Sequence, residues 1–283
     1  MLKMFSAVNK WVIVIFMLVI LASCSNENER MAKQLLEDSN ASILCGNYYR
    51  AVDLLDSLQE TYPTFVEIQR EGMHLRPKAI EGITLMETAQ NDSLISVLEH
   101  EHNLLKDKFS FVNNNELVDG YYVVPEMNRP IFDYTAVQPR LSVDGKFYVI
   151  SSLNGINIGH TAISLYLGAE NATTASVGYD GERNYRSGNT EMITFMPEEC
   201  DTLGKFAFLH SDSRLSLKFI GKRIHSITLN NNEVRAIATT YRMSCVLSQL
   251  KKARLRKEFL EQQLLLARDQ IARTYQDSVN VED

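Results

Sequence analysis

The chain has 283 residues, with 29 Lys and Arg against 35 Asp and Glu, for a formal charge of −6. That acidic balance, without a dense basic cluster, argues against nucleic acid as a partner, because rows of phosphates must be met by rows of cations. The ordinary apolar share fits one large or two small globular domains, and three cysteines beyond Cys24 are too few for a disulfide framework.

The chain opens with Lys3 and Lys10, then an unbroken apolar run from Trp11 to Ala22. Basic residues ahead of a short apolar core are the pattern of a signal peptide. A spanning helix needs roughly 20 apolar residues, and here the polar stretch Ser25-Asn26-Glu27-Asn28-Glu29-Arg30 follows at once. The sequence Leu21-Ala22-Ser23-Cys24 resembles the lipobox of bacterial lipoproteins. The resemblance implies that residues 1–23 are a leader, that Cys24 carries a thioether-linked lipid, and that the new amino terminus is acylated with a fatty acid such as palmitate. Several acyl chains hold a protein on a membrane where one does not. The polar and acidic residues after the cysteine are similar to the export tag of Bacteroidetes surface lipoproteins. This implies a lipid anchor at the outer membrane, on either the periplasmic or the cell-surface face, with residues 24–30 as a polar tether.

Residues 31–112 read as helical. Within them Gly46, Tyr48, Ala51, Leu55 and Pro63 resemble half of a tetratricopeptide repeat over residues 46–63; no second copy occurs, so the expectation is one helical hairpin. A helix over 64–74 and a separate long one over 78–109, started by Pro77, follow. In the latter, Ile83, Met86, Gln90, Leu94, Val97, Glu101 and Leu104 keep three- and four-residue steps, the seam of a paired helix.

From Val118 the pattern changes to short β-rich runs: 146–153, 160–167, 173–179, 190–196, 205–210, 214–220 and 223–229, separated by turn residues. Such spacing predicts an antiparallel, jelly-roll-like β-sandwich over 118–231. A long helix over 232–276 ends the chain, with Met243, Val246, Leu250, Ala253, Leu260, Leu264, Ala267 and Ile271 as its seam. It is expected to pack on 78–109 in a coiled-coil-like pair, to offer a protein partner or a second copy a surface over 243–271, and to leave 277–283 as a disordered tail. The fold class expected is therefore α+β, a helical region with an inserted sandwich.

Chemistry is sparse. His100 and His102 diverge on a helix, no Gly-x-Ser-x-Gly elbow occurs, and Cys45, Cys200 and Cys245 match no zinc spacing and are expected as small buried residues. The loop Asn154–His160 reads as a hairpin connection. No catalytic, cofactor or metal residue is assigned. The most polar loop, with Asp180, Glu182, Arg183, Tyr185 and Arg186, offers carboxylates, guanidinium groups and an aromatic face, groups that recognise sugar hydroxyls. A concave face bearing Tyr148, Tyr166, Tyr179 or Tyr185 would extend such a glycan site. Two readings follow: a membrane-anchored envelope lipoprotein with a non-catalytic binding or scaffolding role, and a glycan-binding, weakly hydrolytic surface lipoprotein.

Overall fold

A computed structural model describes residues 26–113 and 120–280. Cys24 and the leader lie outside the described residues. The protein is α+β, with helices and two antiparallel sheets. It forms two compact units, one from the chain up to Ser93 together with Leu255 onward, the other from Leu94–Arg254.

In the first unit the expected tether is already helical: α1 covers residues 26–44. Gly46, at φ +77°, makes the turn into α2 (Tyr48–Thr61), a conformation open to glycine because it lacks a Cβ. Ala32, Leu36, Leu55, Leu58 and Ile68 form the core between α1, α2 and the start of α3. Gln69 donates to the carbonyls of Leu58 and Tyr62 at 2.8 and 2.9 Å, meeting acceptors that a helix end leaves open. Helix α3 (Val66–Lys106) is one element where two were expected. Pro77 removes a single N–H from it, and the helix continues through. Helix α5 (Asn231–Asn280) pairs with α3 in this unit through Arg268–Glu81, Lys257–Asp92 and Arg256–Glu87 at 2.8, 2.9 and 2.5 Å. Rising numbers on one helix meet falling numbers on the other, so the pair is antiparallel. Helical structure through Asn280 replaces most of the tail expected from 277; residues 281–283 lie outside the described residues.

In the second unit, Arg254–Glu99 at 2.9 Å and Arg242–Glu101 repeat the antiparallel pairing. Met243, Val246 and Leu250 pack on Leu98, Leu105 and Leu141. The seam of α3 is thus one residue away from the expected face: Leu98 and Leu105 are buried, whereas Val97 and Leu104 are 63 % and 61 % exposed. Both faces carry apolar residues at helical spacing, and periodicity alone does not choose between them.

The larger sheet has the order β1-β2-β3-β4-β8-β7, built from Ser110–Val112, Tyr121–Val123, Ala136–Ser142, Phe147–Asn154, Thr190–Phe195 and Asn184–Ser187. The smaller has the order β10-β9-β5-β6, from Ile224–Thr228, Ser216–Ile220, Ala162–Leu167 and Glu170–Thr173. Phe147, Val149, Leu153, Ile193 and Phe195 of the first meet Ile163, Leu165, Leu217 and Phe219 of the second in one core. Residues 205–209 of the run expected as a strand belong instead to helix α4 (Pro197–Leu209), with His210 as its C-cap. Pro197 fits a first helical turn, and Glu199 accepts the Met196 N–H at 2.7 Å, which opens a helix ahead of the run. Cys200, Leu203 and Ala207 then enter the core at helical spacing.

The cysteines divide. Cys200 is buried, Cys245 half-buried and Cys45 exposed at the α1–α2 turn, and all three are free thiols. The expectation of three buried cysteines holds for Cys200 alone.

Replacing Phe219, which has no exposed surface, by Ala removes a ring from the core and is expected to cost about 3–5 kcal/mol. Ile224→Ala, at a side chain 64 % exposed, should change stability by less than about 0.5 kcal/mol. Urea unfolding of the two variants against the parent measures both.

Candidate functional site

The residues proposed from sequence as a ligand loop do not converge. Asp180 accepts the backbone N–H groups of Asn184, Glu182 and Arg183 at 2.9–3.0 Å, and these donors hold its carboxyl below the usual range. It shapes the turn into β7. Arg183 makes a two-pronged pair with Glu199 at 2.9 Å, tying the same turn to the start of α4. Tyr185 points to the outer face of the larger sheet, where it packs beside Ile131, Ile150 and Met192 and its hydroxyl reaches the Met192 sulfur at 3.3 Å. Arg186 is on the opposite face of the same strand, because successive residues alternate. Glu182 is exposed. The tyrosines are equally scattered: Tyr148 lies with Tyr185, Tyr166 lies on the other sheet with Lys218 over its ring at 3.4 Å, and Tyr179 is 63 % exposed. They do not line one concave face.

A different constellation is assembled between the sheets. Ser151 of β4, His160 just before β5 and Glu191 of β8 are buried to within 1 % of completely. The Ser151 hydroxyl is 3.0 Å from His160 Nε2, and His160 Nδ1 is 2.9 Å from Glu191 Oε2. Glu191 also accepts the backbone N–H groups of Gly159 at 2.7 Å and His160 at 2.9 Å. Gly159 stands at φ +63°, which turns two successive N–H groups towards one anion, a backbone nest. Arg186 Nε lies 3.7 Å from Glu191 Oε1, its guanidinium rests on Tyr179 at 5.0 Å, and its side chain, 45 % exposed, carries the network to the surface. Asn184 donates to the carbonyls of Val177 and His160 at 2.8 and 3.3 Å, bracing the loop that carries the histidine.

The proton positions follow from the donors present. Burial lowers the affinity of His160 for a second proton, against the pull of Glu191. Burial also pushes the Glu191 carboxyl up, but the three donors, the backbone N–H groups of His160 and Gly159 and the imidazole, outweigh it and hold the group below its usual value. An ionised carboxylate only accepts, so Nδ1 carries the imidazole hydrogen and Nε2 accepts from the Ser151 hydroxyl. This is the proton arrangement of a serine–histidine–carboxylate triad. The Ser151 oxygen has no exposed surface and stands on an inner strand face between Val149 and Leu153.

Sequence reading reached only part of this network. His160 and its glycine-rich loop were visible as a turn; Ser151 and Glu191 were not, since both sit inside strand runs. One signal was present: Glu191 falls on the same alternating face as Ile193 and Phe195, and a carboxylate on a core-facing position demands a partner. Among the described residues, no cluster of His, Cys, Asp and Glu is arranged to hold a metal, and no helix is long and apolar enough to cross a membrane. The chain matches no protein-family model, and searches of curated proteins and of solved structures return no match.

The network makes stability depend on pH with a definite sign. His160 titrates below its ordinary 6.5 in the folded protein, so the unfolded chain takes up that proton first and stability falls as pH drops below 6.5. Glu191, held below its ordinary 4.5, adds a second loss below that pH by the same rule. Urea midpoints across this range should decline in the parent and decline less in His160→Gln, whose side chain does not titrate.

Proposed function

We propose that the protein is a membrane-anchored envelope lipoprotein, held at the outer membrane by lipid on Cys24, with a non-catalytic binding or scaffolding role. The lipobox-like sequence Leu21-Ala22-Ser23-Cys24 supports the anchor. The observation that carries the binding role is a second apolar surface on α5. Its seam residues Leu260 and Ala267 are buried, yet Leu255, Phe259 and Leu266 are 56 %, 56 % and 64 % exposed. Steps of four and seven residues place those three on one side of the helix, about 100° or more from the buried seam. Solvent-facing leucines and phenylalanine in a row on a rigid helix suit a protein partner, whose burial of that stripe would contribute the binding energy.

The sealed Ser151–His160–Glu191 network fits this reading as a structural device. Buried polar groups that satisfy one another fix which faces of two sheets meet. In this reading the two-sheet unit is a rigid frame, and the helical pair presents the contact surface.

Two measurements test the proposal. Intact-mass analysis of protein extracted from bacterial membranes should show a chain starting at Cys24 with added acyl mass; an intact Met1, or an unmodified sulfur at position 24, would sink the anchor. In-cell crosslinking should give a discrete adduct that is lost in L255K/F259K/L266K while far-UV circular dichroism stays unchanged. Adducts identical in parent and variant would remove the stripe from the account.

A further inference from the structure

In the first unit a cleft of about 430 Å³ opens between the early turns of α3 and the last turns of α5. Arg70, Met73, His74, Arg76 and Pro77 line it from α3, and Gln270, Arg273 and Thr274 from α5. Three arginines line it, and no Asp or Glu is among the lining residues. The volume lies in the range of small-ligand sites. We infer that this cleft binds an amphiphilic anion, a phosphate or carboxylate head on a short apolar body.

The chemistry of the wall supplies each part. Guanidinium groups recognise phosphate and carboxylate oxygens through paired N–H donors. Each arginine already has a partner outside the wall: Arg70 with Glu67 at 2.9 Å, Arg273 with Asp269 at 2.8 Å, and Arg76 with Asp56. Those carboxylates are 75 %, 55 % and 51 % exposed, and ion pairs in open water hold each other by at most about 1 kcal/mol. A ligand that brings its anion into the cleft can compete with those carboxylates for the guanidinium N–H groups without a large penalty. The apolar body has its own counterpart in Met73, whose side chain is 69 % exposed, and in the Pro77 ring. Thioether side chains adapt to varied apolar shapes.

This inference stands apart from the anchoring proposal, and its test separates the two. The chain's single tryptophan is Trp11, so the emission of M73W minus that of the parent reports the cleft whether or not the leader has been removed. Full-length protein, purified from whole cells in a nonionic detergent, is titrated with hexyl phosphate, hexanoate, inorganic phosphate and hexanol. The difference emission should shift saturably with hexyl phosphate or hexanoate, and which of the two binds tighter names the head group. Inorganic phosphate and hexanol should bind more weakly than either. In R70Q/R273Q, at side chains 59 % and 75 % exposed, the affinity for the anion should fall by about tenfold or more, with circular dichroism unchanged. An unchanged affinity in that variant, equal response to hexanol, or no saturable shift with either anion would each overturn the inference.

Discussion

A carboxylate between two apolar sheets must be met by donors or give up its charge, and the second unit is arranged around meeting Glu191. Its three close donors come from a single dipeptide and one imidazole. Gly159 has to stand at positive φ for the two backbone N–H groups to converge, and Gly221 has to lack a side chain because a Cβ there would lie 2.6 Å from the Ile158 carbonyl. The imidazole so held accepts from Ser151 on β4, while Phe219 of the smaller sheet meets its ring edge-on at 5.4 Å. One charge thus joins β8 and β4 of one sheet to the loop that opens β5 of the other. Hydrophobic burial supplies most of the stability of such a core, but it is indifferent to register; the polar chain is not, since a slip by one residue would turn Glu191 outward.

The hydrogen-bond distances among Ser151, His160 and Glu191 are those of a serine–histidine–carboxylate chain, and all three side chains lie beneath the surface. The exposed stripe of α5 and the arginine-lined cleft are both open to solvent, both lie in the first unit, and each offers a distinct chemistry: one dry and extended, the other cationic and concave.

The helices show how an acidic and basic composition is put to use. Along α3 the carboxylates Glu81, Glu87, Asp92, Glu99 and Glu101 each meet a cation of α5. The basic run from Lys251 to Lys257, which in isolation looks like a solvated face, carries three of those cations. Individually such exposed pairs contribute little. Collectively they match α3 to α5 in one antiparallel register within each unit, which the leucine seam alone would leave open to slippage by a heptad.

Some of this was legible from residues alone. The length and steps of α5, its seam from Met243 to Ala267, and the strands β4, β5, β8, β9 and β10 all carry strong local periodicity, and periodicity is a local property that the chain states about itself. The lipobox-like motif is local in the same sense. What only the tertiary structure decided is non-local. Which of two apolar faces of α3 turns inward depends on what packs against it, so Leu98 displaced Val97. Whether Phe206 and Phe208 belong to a strand or a helix depended on a cap supplied by Glu199. Ser151, His160 and Glu191 are separated by up to 40 positions, and no spacing rule brings them together. They meet because strand pairing places β4 beside β8 and because a buried charge accepts only an arrangement that satisfies it.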